Sequence, residues 1–176
     1  VSFDLVATHA TILSSLQNGG RGLVSFAAQD LPALKLALKS TDEVQKHQAI
    51  MVCAHLSHPQ RELEDSILAL MQTDLSAEDH IWLLNALRRN VLQGRFKDGE
   101  RLTQEILEAL RKKLYHRDLS VVEWALRTVE ECGAQGIVFR GDLAKIKPSF
   151  WKLWQAQSRT VLELVTFLER RWSEKP

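Results

Sequence analysis

Apolar residues recur every three or four positions along most of this chain, the spacing that lines one face of an α-helix. Residues 2–17 carry Phe3, Leu5, Val6, Ile12, Leu13 and Leu16 and stop at Gly19-Gly20, which predicts a helix with a glycine end. A shorter helical piece from Leu23 to Gln29 leads into Asp30-Leu31-Pro32, where aspartate can cap and proline can open a further helix to about Lys39. From Thr41 the punctuation becomes regular. Asp42, Ser76 and Asp118 read as N-caps, and Ser76 with Asp79 forms a capping box with a shortened acid. Breaks at His58-Pro59 and Asp98-Gly99 divide the stretches between them, so helices are expected over 43–57, 60–73, 77–93, 99–115 and 119–132.

Setting the three caps in register superposes Ala49 on Leu83 and Ala125, Ile50 on Leu84 and Leu126, and Cys53 on Leu87 and Val129. The caps lie 34 and 42 residues apart, which brackets the length of two-helix repeat units. The expected fold is therefore all-α, a short right-handed α-solenoid of antiparallel helix pairs in a single domain over 1–176. An irregular bundle is the rival, because any capped amphipathic helices align at three or four positions. Residues 1–40 would form N-terminal capping helices, 41–133 the helix-pair repeats and 134–147 a polar connecting segment. From Pro148 to the end, 148–176, Phe150, Leu153, Trp154, Val161, Leu164, Val165, Leu168 and Trp172 make one stripe, expected as a long C-terminal capping helix over the solenoid's open end.

The units, above all Asp118-Leu-Ser-Val-Val-Glu-Trp-Ala-Leu-Arg-Thr-Val-Glu-Glu-Cys-Gly133, resemble those of the HEAT-like and armadillo-like helical repeat families over about residues 41–133. What matches is a pattern of size and polarity rather than a set of reactive groups. The resemblance implies a scaffold or adaptor that binds another protein along a helical surface. A minority of such proteins bind nucleic acid or excise alkylated bases from it. The departure here is the long segment 134–147 after the last recognisable unit.

Composition agrees with helix: of 176 residues only 8 are Gly and 4 are Pro, and 45% are hydrophobic, enough for a core. Cys53 and Cys132 fall on apolar stripes without a Cys-x-x-Cys spacing and read as buried free thiols, which suits a reducing cytoplasm. No run reaches the ~18 apolar residues of a membrane span, so no membrane is expected among the partners. His55 and His58 do not have the spacing of a metal pair, and His9, His47, His80 and His116 read as isolated, exposed or helix-terminal residues. The carboxylates of Glu62, Glu64 and Asp65 sit in a first helical turn, where negative charge is favoured. No metal, no cofactor and no catalytic residue follows from the sequence.

Charge is uneven within a net +1: the segment 88–117 holds nine Lys and Arg against four acids. Part of that excess, Arg111, Lys112 and Lys113, complements the end of a helix dipole, and Glu108 precedes Lys112 by four residues. On helix 77–93 the stripe is Leu83, Leu84, Leu87 and Val91, while Trp82 projects away from it beside Arg89. The repeat register sets Trp124 over Trp82. Large aromatics beside arginine are what binding hot spots favour. The expected partner surface is thus Trp82, Arg89 and Trp124, with Arg101, Glu108, Arg111 and Lys112 on the opposite helices. Packing of both indoles between helix layers is the competing expectation. The expected function is a non-catalytic protein-binding adaptor; the alternative is a nucleic-acid-binding module, in the manner of base-repair HEAT proteins, using the basic segment 88–117.

Overall fold

The structure, a computed structural model, describes residues 3–148 and 154–173. It is all-helical, with 75% of residues in helix and no strand among those described. The chain divides into two compact units, Val1–Glu100 and Arg101–Pro176.

In the first unit the helices are α1 (Leu5–Gln17), α2 (Leu31–Leu38), α3 (Glu43–Ala54), α4 (Glu64–Met71), α5 (Ala77–Leu87) and α6 (Gln93–Lys97). Of the three expected caps Asp42 and Ser76 hold, whereas Asp30 precedes α2 without a side-chain cap bond. The Asp42 carboxylate accepts from the Val44 and Gln45 amides, and the Ser76 hydroxyl accepts from the Asp79 amide at 3.0 Å. Helix α3 is the centre, packed by α1, α2 and α5, with α4 against α5. It buries six consecutive residues, Ala49 to Ala54, as a helix covered on all sides must.

In the second unit, α7 (Gln104–Leu114) and α10 (Ala156–Ser173) pack on α8 (Leu119–Glu131), and α9 (Arg140–Ile146) lies against both α7 and α10. Thr103 and Asp118 cap α7 and α8. The nine superposed positions, Ala49, Ile50, Cys53 and their counterparts on α5 and α8, are each 0% exposed. The register of the three stripes therefore matches the burial.

Four stretches differ from expectation. Leu23 to Gln29 is not a helix up to its last residues: the Val24 amide donates to the His55 carbonyl at 2.9 Å and its carbonyl accepts from Ser57 at 2.8 Å, while a 3-10 turn spans Ala28–Asp30. Gly22 (φ 63°) allows this strap to lie close, because a Cβ there would sit 3.0 Å from the His55 ring. The helix opening at Ala77 runs on past residue 93 through a π-helical turn, Arg88–Leu92, to Lys97. Segment 134–147 is not a polar connection: a 3-10 stretch, Gly133–Phe139, and α9 bring Phe139 and Leu143 to 0% exposure. Alternating glycines hid this, yet Gly136 is where the stretch meets α8, a Cβ there falling 2.7 Å from the Val129 carbonyl oxygen. Finally, the tail helix opens only at Ala156, so Trp154 precedes it and is 78% exposed rather than buried; Phe150 and Leu153 lie outside the described residues. Val161, Val165, Leu168 and Trp172 are buried as the stripe predicts.

The π turn has a chemical cause at Asn90, which is 0% exposed. Its amide nitrogen donates to the Cys53 carbonyl at 2.9 Å and the Ala86 carbonyl at 3.0 Å, and its oxygen accepts from the Gln60 amide at 3.1 Å. One side chain thus joins the end of α3, the loop before α4 and the turn itself. Asn90→Ala strips a partner from three backbone groups, the Cys53 and Ala86 carbonyls and the Gln60 amide, and should cost about 2–4 kcal/mol in chemical denaturation, a buried group left unpaired costing about 1–3 kcal/mol. Gly136→Ala should cost about 1–3 kcal/mol by overpacking. A loss below about 0.5 kcal/mol in either variant would contradict these contacts.

Candidate functional site

The residues at the end of α3 gather the side chains expected at a partner surface. His55 caps the helix: its Nδ1 bonds the Met51 carbonyl at 2.8 Å, which orients the ring and leaves it 6% exposed. The Trp82 indole leans on that ring, centroids 4.9 Å apart and planes tilted by 55°, and its N–H donates to Glu78 at 3.4 Å. Arg89, two turns further along, donates from Nη2 to the Leu56 carbonyl at 2.9 Å. Trp82 and Arg89 therefore flank the same two residues, His55 and Leu56. Both are half-buried. The indole is neither a fully buried core residue nor a free one: it is half-buried and held by the His55 ring and Glu78.

In the second unit Trp124 is also half-buried, with the Arg127 guanidinium 5.9 Å from its ring centroid and that guanidinium fastened to Glu123 at 2.8 Å. Arg101, Glu108 and Lys112 are exposed, and Glu108 accepts from Gln104 at 2.8 Å. Arg111 is committed internally. It donates to Asp142 at 3.0 Å and lies 5.7 Å over Phe139, while the Tyr115 hydroxyl bonds the other oxygen of Asp142. The segment 88–117 is thus not one free strip of cations: besides Arg89 and Arg111, Arg95 bridges Glu64 at 2.6 Å and Glu100 at 2.9 Å, and Lys113 is 1% exposed. Arg61 completes the cluster around Glu100 with two bonds of 2.8 and 2.7 Å, and these hold the Glu100 carboxyl below its usual range.

The histidines depart furthest from their sequence reading. His55 and His80 are buried. His47 pairs through Nδ1 with Asp79 at 2.6 Å, and the other Asp79 oxygen accepts from the Ser76 hydroxyl at 2.8 Å. The ring of His9 meets His47 edge-on, 6.1 Å away. A carboxylate-oriented imidazole can serve as a base, but here the carboxylate belongs to the cap of α5, and the pair locks α3 to α5. Three grooves in the first unit, of about 690, 510 and 350 Å3, are lined without histidine or cysteine. Among the described residues no three His, Cys, Asp or Glu side chains are placed to hold a metal ion. Burial pushes the Cys53 thiol up, and that of Cys132 up to about 12, away from thiolate chemistry. The pairing of His47 was invisible in sequence because its partner lies 32 residues on, in another helix. The one local signal was Asn90, an amide inside an apolar helical run.

No protein-family model, curated protein or solved structure matches this chain. No described helix is long and apolar enough to cross a membrane.

Burial holds His9, His55 and His116 below the ordinary histidine value of about 6.5, with nearby cationic groups adding to the effect. Their neutral forms are favoured in the folded state, so the unfolded chain takes up protons first as the pH falls. That part of the stability is complete above about pH 6.5 and is lost as the pH drops through that value towards the lowered folded pKa values. Melting temperature should therefore fall from pH 7.5 to about pH 5, and His55→Gln should flatten the slope. A melting temperature that rises over the same interval would contradict this assignment.

Proposed function

We propose that this protein is a non-catalytic protein-binding adaptor or scaffold whose helix pairs stack in the manner of HEAT-like repeats. The observation that carries this reading is the preorganised pair of Trp82 and Arg89. Each is anchored, to His55 and to the Leu56 carbonyl, and each is only half-buried. Such groups lose little conformational freedom on binding, which is why aromatic and arginine anchors dominate interface energetics. Trp124 with Arg127 sets another indole near a guanidinium on α8, at a different spacing: the register of the caps places Glu131, not an arginine, at the position of Arg89. Internal commitment of Arg95 and Arg111 and the burial of Lys113 weigh against the nucleic-acid alternative. Two buried free thiols fit a cytoplasmic setting.

The test is affinity capture with the full chain as bait, beside Trp82→Ala and Trp124→Ala baits of verified fold. Half-buried indoles should cost about 1–2 kcal/mol of stability on truncation, less than the ~3–5 kcal/mol of a core tryptophan. Proteins retained by the wild-type bait should be lost from at least one variant. Identical capture by all three baits, or steeply salt-dependent retention on a DNA column, would overturn the proposal.

A further inference from the structure

The guanidinium of Arg89 has an uncommon environment for a half-buried charge. Its hydrogen bond goes to a neutral carbonyl, that of Leu56, and its Nε is buried without a partner. No carboxylate among the described residues pairs with it. Its titratable neighbours are Arg88, which lowers its pKa after burial has done so, and the neutral His55 ring, whose protonation Arg89 opposes. Every other buried or half-buried arginine of this unit for which an ion pair is found, Arg61 and Arg95, is surrounded by Glu64, Asp98 and Glu100. Withdrawing a cation from water without a counter-charge costs stability that a paired cation recovers. The unmet charge and the Trp82 ring flank the same two residues, Leu56 and His55.

We propose that Arg89, with the Trp82 indole beside it, receives a carboxylate side chain of a partner protein, presented on a short acidic segment whose neighbouring apolar residue lies on the indole. The inference rests on the adaptor reading and names the chemistry of the partner. A planar guanidinium with free donors takes a carboxylate in two parallel bonds, and the ring supplies the apolar contact next to it. Charge decides between a peptide and a polyphosphate chain. Residues 1–100 carry nine Lys and Arg against twelve Asp and Glu, a net of −3, and Glu78 stands at the indole N–H. Such a unit repels an extended polyanion, whereas a single carboxylate meets the Arg89 charge itself.

The experiment selects a displayed random-peptide library against the full chain and measures the recovered peptides by fluorescence anisotropy. The comparison proteins are Arg89→Gln, which keeps an amide donor for the Leu56 carbonyl, Arg89→Lys, which keeps the charge without the fork, and Trp82→Ala. Recovered peptides should carry Asp or Glu beside an aliphatic or aromatic residue. They should bind Arg89→Gln about tenfold or more weakly, with Arg89→Lys between, and exchange of the peptide's acid for its amide should cause the same loss. Should Arg89→Gln melt below the assay temperature, the comparison of Arg89→Lys with the acid-to-amide peptides decides. Peptides without an acid, or binding that ignores Arg89 while still needing Trp82, would overturn the inference and leave the adaptor reading standing. A library that yields nothing above background sinks both. Arg89-dependent binding of a short single-stranded oligonucleotide would hand the site to nucleic acid and also overturn the inference.

Discussion

The end of α3 is buried, and a helix end leaves carbonyls that its own ladder cannot satisfy. The first unit is organised around supplying donors to that end. Met51 receives the His55 ring, Val52 the His55 amide, Cys53 the Asn90 amide group, His55 the Val24 strap and Leu56 the Arg89 guanidinium. The donors come from three parts of the chain, His55 itself, the Val24 strap and the π turn with Arg89 and Asn90, so satisfying one helix end fixes the N-terminal strap, the π turn and the path into α4. Without them, several buried carbonyls would each lose about 1–3 kcal/mol.

The same constraint shapes the surface. Because His55 must turn inward to cap α3, it becomes the platform on which Trp82 rests. Because Leu56 needs a donor, Arg89 is drawn to it, away from any carboxylate. The held aromatic ring and the cation without a carboxylate are by-products of a local hydrogen-bonding requirement. Elsewhere charges are neutralised at home: Glu100 between Arg61 and Arg95, and Asp142 between Arg111 and Tyr115.

In the second unit, close approach does the equivalent work. Gly136 lets the 3-10 stretch press on the α8 backbone and on Trp172, while the buried stripe of α10 covers α8. The all-helical architecture thus depends in one unit on satisfied polar groups and in the other on a glycine contact and apolar burial. Both thiols are buried, and the His47–Asp79 pair joins two helices.

By itself the sequence determined what is local. Asp42, Ser76 and Asp118 cap helices because a side chain two or three residues from an amide can reach it, and the stripes through Ala49, Leu83 and Ala125 bury because helical periodicity is a property of neighbouring residues. It also marked Trp82 and Arg89 as one face, seven residues or two turns apart. What only the tertiary structure decided joins residues 30 or more positions apart, such as Asn90 to Gln60 and Cys53, Arg89 to Leu56, and His47 to Asp79. No periodicity encodes which helix will lie opposite a given side chain. Burial of His55, the π turn at Asn90 and the helical course of residues 133–146 depend on that pairing, because each is stable only when a partner from another part of the chain meets its polar groups or covers its apolar ones.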